Sequence, residues 1–294
     1  MSANQDKDDR PLAPGLYLVA TPIGNLEDIT LRALRVLRQA DRIGCEDTRQ
    51  TQKLLNHFEI RTPTVSYHMH NEGSRTEELI AELKNGARIA IVSDAGTPGI
   101  ADPGGQIVAA ALTAGVDVFP IPGANAAISG VIASGLTTER FTFHGFLPAK
   151  AGQRKTALEE LARDDGTHIF YEAPHRILDT LADVEAVFGP EQHVVIAREL
   201  TKIHEEFLRG SAAGIRSQLA SRASVRGEIV LMLTPTPTES ASEDKKTTLA
   251  AEVAALMKSE AISEMDALKR VARERGIGKS EAYRELQREQ NRRR

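Results

Sequence analysis

From residue 15 to about residue 135 the chain alternates short apolar runs, often β-branched, with longer stretches in which apolar residues return every three or four positions. "LYLVA" leads into "EDITLRALRVLRQA", where Ile29, Ala33, Leu34, Val36 and Leu37 recur at helical spacing; "RIGCE" leads into "TRQTQKLLNHF", and "TVSY" into "SRTEELIAELKNG". "RIAIV" and "VDVFPI" follow, partnered by "GQIVAAALTAG" and "NAAISGVIASG". A short apolar run bounded by turn residues reads as a buried strand, and a period near 3.6 reads as a helix with one apolar face. Five such units predict a mainly parallel sheet covered by helices, whose ligands would sit beyond the carboxyl ends of the strands.

A second block after "FTFHGFLP" alternates in the same way, through "QRKTALEELARDD", "HIFYEA", "RILDTLADVEAVFG", "HVVIAREL", "EEFLRG", "AAGIRSQLAS" and "GEIVLML". The pattern divides into an N-terminal α/β domain over 15–135 and a C-terminal α/β domain over 136–234. Residues 1–14 read as a disordered polar tail, and "TPTPTESASEDKK" has the composition of a linker, assigned to 235–246. Residues 247–294 carry three helical patterns, with Ser263 and Ser280 as N-caps and Gly276 as a C-cap, which predicts a small module resembling a helix-turn-helix.

Charge sharpens that division. Residues 245–294 hold 13 Lys/Arg against 8 Asp/Glu, so the tail is near +5 and the body near -9 within a net charge of -4. The tail can meet a polyanion, or it can be a solvated helical face that caps a neighbour or a dimer contact. The single cysteine, Cys45, excludes an internal disulfide and a multi-cysteine metal site. The polar N-terminus has no apolar signal region and no run approaches a membrane span, so a cytoplasmic location is expected.

Chemistry concentrates at the predicted strand ends, in "TPIGNLED", "EDTR", "SDAGTPGIADPGG", "IPGANAA", "FHGFLP", "YEAPHR" and "RELTKIHEE". The third of these is rich in glycine, proline and aspartate but has no lysine, and it lacks the glycine spacing of a dinucleotide fingerprint. Pro22 and Gly24 fix a turn in the first, and Asn25 or Asp28 is placed to cap the helix that follows. With Glu27, Asp28, Asp94 and Asp102 close by in these loops, a polyphosphate would be repelled. A ligand with a positive centre, such as the sulfonium of S-adenosylmethionine, suits them better than ATP or NAD.

In this order and over residues 15–234, "LVATPIGNLEDIT", "EDTRQTQKLL", "SDAGTPGIADPG", "IPGANAA", "FHGFLP", "YEAPHR" and "RELTKIHEE" closely resemble the tetrapyrrole-methylase superfamily. Within it they are similar to the branch that methylates the 2'-hydroxyl of a cytidine in 16S ribosomal RNA near the decoding centre. The resemblance implies a two-domain tetrapyrrole-methylase-like α/β fold with S-adenosylmethionine in the interdomain cleft, and a homodimer. It implies that Asp94, Ala95 and Gly96 form a shelf for the methionine end of the cofactor, where Asp94 meets its ammonium; a self-capping turn is the alternative role for Asp94. It further implies cofactor contacts from Pro22, Gly24, Asn125, Ala126, Ala127, Tyr171, Glu172, Thr201 and Glu228.

A ribose hydroxyl is a weak nucleophile, so a base or a cation that favours the alkoxide would assist transfer. Glu172, Asp47, Glu46 and His175 are the candidate bases, and Arg49, Arg176 and Lys202 the candidate cations. Two of these segments carry a second possibility: Asp47 as a helix cap beside an Arg49 that it does not touch, and His175 and Arg176 on the first turn of a helix. Arg49, Lys53, Lys150, Arg154 and Lys202 are the expected RNA contacts, on naked 16S RNA or on the 30S subunit. No metal is expected, because His204 with Glu205 or Glu206 is too generic a set. Two other functions fit the same pattern: C-methylation of a tetrapyrrole precursor, and a non-catalytic nucleic-acid-binding regulator that depends on the basic tail.

Overall fold

Strands β1 (Gly15–Val19), β2 (Arg42–Cys45), β3 (Thr64–Ser66), β4 (Arg88–Ile91) and β5 (Val118–Ile121) form one sheet in the order β3-β2-β4-β1-β5. Every pairing in it is parallel. Parallel neighbours need crossovers, and the periodic segments supply them: α1 (Leu31–Gln39), α2 (Thr48–His57), α3 (Glu72–Lys84) and α4 (Gly105–Thr113). Val36 and Leu37 of α1 and Leu55 of α2 pack with Ile43, Cys45 and Ala90, whereas Leu79 and Leu83 of α3 and Ile107 of α4 pack with Leu16, Ile89 and Ile91. The helices therefore divide between the two faces, and the strands read as continuous apolar runs because both faces are covered.

The cap of α1 differs from the expected one. Thr30 accepts the Ala33 N–H (3.0 Å), and Asn25 instead caps a single 3-10 turn, Leu26–Asp28, by accepting from Glu27. The extra turn separates "NLED" from the helix, so the capping group falls to the first hydroxyl before the regular apolar period begins.

The computed structural model describes residues 11–162, 164–235, 249–260, 262–274, 278, 282–284 and 286–287. Within the expected disordered tail of residues 1–14, residues 1–10 lie outside that set, but 11–14 are anchored: the Leu12 N–H donates to Gln39 Oε1 (3.1 Å) and the Tyr17 hydroxyl to the Ala13 carbonyl (2.7 Å). Residues 236–246 of the expected linker, with Gly276 and Ser280, also lie outside it.

A second sheet is mixed. Strands β6 (Phe141–Phe146), β7 (Thr167–Glu172), β8 (His193–Arg198), β9 (Glu206–Ser211) and β10 (Ile229–Leu233) lie in the order β6-β7-β10-β8-β9. Only β6 and β7 are parallel; the other three pairings are antiparallel. One face is buried under α6 (Ala151–Leu161), α7 (Ile177–Phe188) and α8 (Ala212–Ala220), through Leu158, Leu181, Val184, Ile215 and Leu219. The other face takes α5 (Ala126–Ser134), the helix that follows β5, through Ala127 and Val131 against Ile169, Val195, Val230 and Met232. Both sheets fall within one compact unit, residues 1–236.

The second unit, residues 237–294, has its own small core. Leu249 and Val253 of α9 (Leu249–Glu260) meet Ala267, Leu268, Val271 and Ala272 of α10 (Glu264–Glu274), together with Ala282 and Leu286. Ser263 caps α10, its hydroxyl accepting the Asp266 N–H (3.2 Å). Among the described residues no helix is long and apolar enough to cross a membrane.

Candidate active site

Because β1, β2, β4 and β5 are parallel, the loops that follow them emerge at one edge of the first sheet. Two of these loops are stitched together: the Thr21 N–H donates to the Gly96 carbonyl (2.8 Å) and the Gly96 N–H to the Thr21 carbonyl (3.1 Å). The loop after β4 then folds back on itself, with Gly99 N–H donating to the Pro103 carbonyl (3.1 Å) and Ala101 held at φ +61°. Gly104, the N-cap position of α4, has no side chain to cap it. Glu72 of α3 instead ties down the N-cap residue itself, its Oε1 accepting the Gly104 N–H (3.3 Å) and the Tyr67 hydroxyl (2.9 Å), while Thr76 Oγ1 lies 3.1 Å from the same hydroxyl. Burial pushes the Tyr67 phenol well above its ordinary range, so it remains a donor.

A cavity of about 470 Å³ lies beyond these loops and the adjoining edge of the second sheet. That volume suits a small-molecule ligand. Its walls include Ile23, Ala126, Tyr171 and Ile229, and five acidic residues line it: Glu46, Asp94, Asp102, Glu172 and Glu228. Among the described residues no lysine, arginine or histidine does. The consequence is concentrated at Asp102, whose carboxyl is pushed up to about 6 by burial first and then by the charges of Glu46 and Asp94.

The cavity collects nine of the residues expected from sequence: Glu46, Asp94, Ala95, Gly96, Asn125, Ala126, Tyr171, Glu172 and Glu228. Asn125 also caps α5, accepting the Ile128 N–H (3.1 Å) and donating to Thr97 Oγ1 (3.2 Å). Asp94 does not close a turn of its own; its Oδ1 accepts the Asp47 N–H (3.0 Å). Glu172 is at the wall, but its carboxylate is buried and fully engaged. It accepts from Thr180 Oγ1 (2.6 Å), the Ala173 N–H (2.8 Å) and Arg176 Nη2 (3.3 Å). With three hydrogen bonds on its roughly four acceptor positions, this carboxylate is held as an anchor for the start of α7.

Other expected residues stand elsewhere. Asp47 caps α2, accepting the Arg49 N–H (2.8 Å), and also binds the Arg49 guanidinium at both oxygens (3.1 and 2.9 Å), so the pair expected to make no contact is bidentate. The lack of contact belongs to the second possibility for this segment, and it is that part which the bidentate pair corrects; the hydrogen bonding holds the Asp47 carboxyl below the usual carboxylate range. His175 is exposed, and Arg176, at the N-cap position of α7, also donates to the Leu147 carbonyl (2.7 Å). Arg154 is not an RNA contact: its side chain is 4% exposed, with Nη2 2.6 Å from Asp183 of α7. Lys53 and Lys150 are exposed.

Pro22 and Ala127 are buried behind the lining, where Ile23 takes the place expected of Pro22. Gly24 serves a packing need, because a Cβ there would lie 2.4 Å from Lys202 Cγ. Thr201 sits in the turn between β8 and β9 at φ +66°. Lys202 spans that turn, donating to Glu199 (2.7 Å) and to the cavity residue Glu228 (3.1 Å). Burial disfavours its charge, yet the two carboxylates outweigh burial and raise its pKa. Sequence reasoning missed Asp102 as a site residue, although its place between two tight turns in "GIADPGG" was visible; Phe146 and Ile100, which also line the cavity, lie in "FHGFLP" and "SDAGTPGIADPGG" but were not singled out within them.

A profile of the Tetrapyrrole (Corrin/Porphyrin) Methylases matches residues 15–216. The chain belongs to this family. It is 54% identical over 229 residues to the ribosomal RNA small subunit methyltransferase I of Halalkalibacterium halodurans, covering 78% of each chain. The protein of that name from Synechocystis is 46% identical, over 91% of this chain and 95% of the relative. Among solved structures, a uroporphyrin-III C-methyltransferase from Thermus thermophilus complexed with S-adenyl homocysteine aligns at TM-score 0.54 and 18% identity, over 75% of this chain and 97% of that one. A diphthine synthase aligns at 0.58 and 16%, over 78% and 93%. At these identities the structures share the fold.

A tetrapyrrole-methylase fold implies S-adenosylmethionine, and the residues present fit it. The cavity offers the carboxylates of Glu46, Asp94 and Asp102 to a sulfonium and an ammonium, and apolar walls to the rest of the molecule.

Proposed function

We propose that this chain, an S-adenosylmethionine-dependent methyltransferase, methylates the 2'-hydroxyl of a cytidine in 16S ribosomal RNA near the decoding centre. The observation that carries the cofactor site is the cavity lined by five acidic residues and no basic one. The acceptor rests on relatives named for small-subunit ribosomal RNA at 54% and 46% identity.

When bound, S-adenosylmethionine supplies a methyl group already activated by a positive sulfur. The protein's part is to hold the acceptor oxygen in line with that carbon and to remove its proton. Glu46 and Asp94 would hold the cofactor's positive charges, while Glu228 at the same wall is already bonded to Lys202. Asp102 is the base: it faces the cavity, has no cationic partner there, and with a pKa of about 6 it is both ionised at neutral pH and basic enough to accept a proton. Asp102 would take the proton of the acceptor hydroxyl, while the bound cofactor would supply the methyl group and leave as its demethylated thioether.

The RNA backbone is met outside the cavity, by exposed cations such as Lys53 and Lys150 and by the basic C-terminal module, in the cytoplasm. The assembled 30S subunit is the proposed acceptor. A homodimer is proposed as the working form, with exposed Ile128 and Ile132, one turn apart on α5, available for its interface.

Transfer of labelled methyl to small subunits that lack their native modifications, followed by alkaline hydrolysis, tests the reaction. Label in an alkali-resistant dinucleotide is expected, since a methylated 2'-oxygen blocks cleavage. Label that is alkali-labile, or absent from both subunits and free RNA, overturns the acceptor.

A further inference from the structure

β6 is the edge strand of the second sheet, and its register against β7 is broken in one place. Phe141, Thr142 and Phe143 pair with Thr167, His168 and Ile169, but the next pair is Phe146 with Tyr171. Three steps along β6 thus match two along β7. Gly145, at φ +69°, accommodates the extra residue, in a region of backbone space that a side chain would disfavour.

The bulge decides where Phe146 points. In an unbroken strand Phe146 would share a face with His144, whose ring stacks on Phe170 at 4.9 Å on the helix-covered side. The extra residue turns it to the opposite face, beside Tyr171, with ring centroids 5.8 Å apart and planes at 68°. Tyr171 is backed in turn by Phe143, at 4.8 Å. Phe146 lines the cavity yet remains 56% exposed, and Ile100, 40% exposed, lines the cavity from the loop that carries Asp102.

We infer that Phe146 is a stacking platform for the nucleobase of the acceptor nucleotide, with Ile100 as an apolar contact from the first-sheet loop. The inference rests on the RNA reading above and adds the subsite that holds the base. The cavity lining has no cation, so a nucleotide whose ribose reaches Asp102 cannot be held there by its phosphate. Stacking is a grip that needs no cation, since every base presents a π-face, and bases in exposed or distorted RNA are commonly held on aromatic side chains. A bulge that turns an aromatic ring out of the buried alternation and toward the cavity provides such a surface.

The test compares the full-length protein with Phe146→Ala, Phe146→Leu and Phe146→Tyr. Methyl transfer to undermethylated small subunits is measured alongside calorimetric binding of S-adenosylhomocysteine. The Ala and Leu variants are expected to lose about 5- to 100-fold in kcat/KM for the subunit, the Tyr variant to stay within about threefold, and S-adenosylhomocysteine affinity to be unchanged in all three. A Leu variant as active as wild type overturns the platform, because apolar contact alone would then suffice. Weaker S-adenosylhomocysteine binding by the Ala variant assigns the ring to the cofactor instead, and a change of oligomeric state assigns it to a second copy of the chain; either overturns the inference. Failure of the wild-type protein to label RNA overturns the acceptor reading and the platform with it, whereas labelled RNA with an unaffected Ala variant overturns the platform alone.

Discussion

Asp102 and Glu206 carry the same functional group within the same compact unit, and the fold drives them in opposite directions. Asp102, at the loop edge of the parallel sheet, is buried next to Glu46 and Asp94 and is pushed up to about 6. Glu206, at the start of β9, accepts from Arg222 and Arg198 and is held down at about 2. The difference lies in the partner supplied. Around the second sheet, Arg198, Arg216 and Arg222 each pair with a carboxylate outside the cavity, and of the cavity carboxylates Glu172 pairs with Arg176 and Glu228 with Lys202, whereas the charges that act on Asp102 are those of Glu46 and Asp94. Paired carboxylates hold the fold together; unpaired ones remain available for chemistry.

Asp102→Asn breaks the comparison most directly. Turnover is expected to fall about 100- to 10,000-fold, read by single-turnover methyl transfer; a variant that keeps a tenth of the wild-type rate would remove Asp102 as the base. Wild-type kcat/KM should correspondingly rise with pH through about 6, as the free carboxyl ionises.

Next in size is the buried ion pair. Asp183→Asn leaves Arg154 without its partner in the core between α6 and α7, so denaturant unfolding should show a loss of about 3–5 kcal/mol. Affinity for the small subunit should change little at a temperature where the variant is folded; a large loss would return Arg154 to the RNA surface.

Arg222→Ala removes the main cause of the low Glu206 pKa and should cost about 1.5–3 kcal/mol near neutral pH. Because that pKa is depressed below 4.5, the stabilisation is present above 4.5 and fades as the pH falls toward 2, so wild-type and variant unfolding curves should converge in acid.

A smaller effect is expected at Glu72, which fixes the Gly104 end of the Asp102 turn. Glu72→Ala should lower kcat about tenfold through a looser base, with Glu72→Gln close to wild type because it keeps the acceptor. In the Asp102→Asn background, Glu72→Ala should have no further effect on kcat, which separates positioning from general destabilisation.

The smallest effect is thermal. A raised carboxylate pKa means that folding favours the protonated form, and this penalty grows as pH climbs from about 4 through 6. Asp102→Asn should therefore raise Tm slightly at pH 8 and leave it unchanged at pH 4.

Much of this was legible in sequence. The apolar runs and helical periods define the strands and crossovers of the first sheet, because periods of two and 3.6 are set by local backbone geometry. The glycine- and proline-rich loops fall at strand ends, and their order is similar enough to known methylases to imply the fold and the cofactor. Of the expected cofactor residues, those in the loops after β4 and β5 and at the end of β7 reach the cavity, while Pro22, Gly24, Ala127 and Thr201 do not line it.

What sequence could not decide was which charges meet. Arg154 and Asp183 lie 29 positions apart, and Asp102 faces a Glu46 on the loop of another strand; both relations depend on sheet order and helix placement. The direction of Phe146 hangs on one extra residue in the register of β6 with β7, which no local pattern announces. Sequence by itself determined the elements, through local periodicity, and the class of ligand, through the likeness of its ordered loops to those of known methylases. The tertiary structure alone decided which carboxylate stays free to act, because pKa depends on neighbours brought together only when the sheets are assembled.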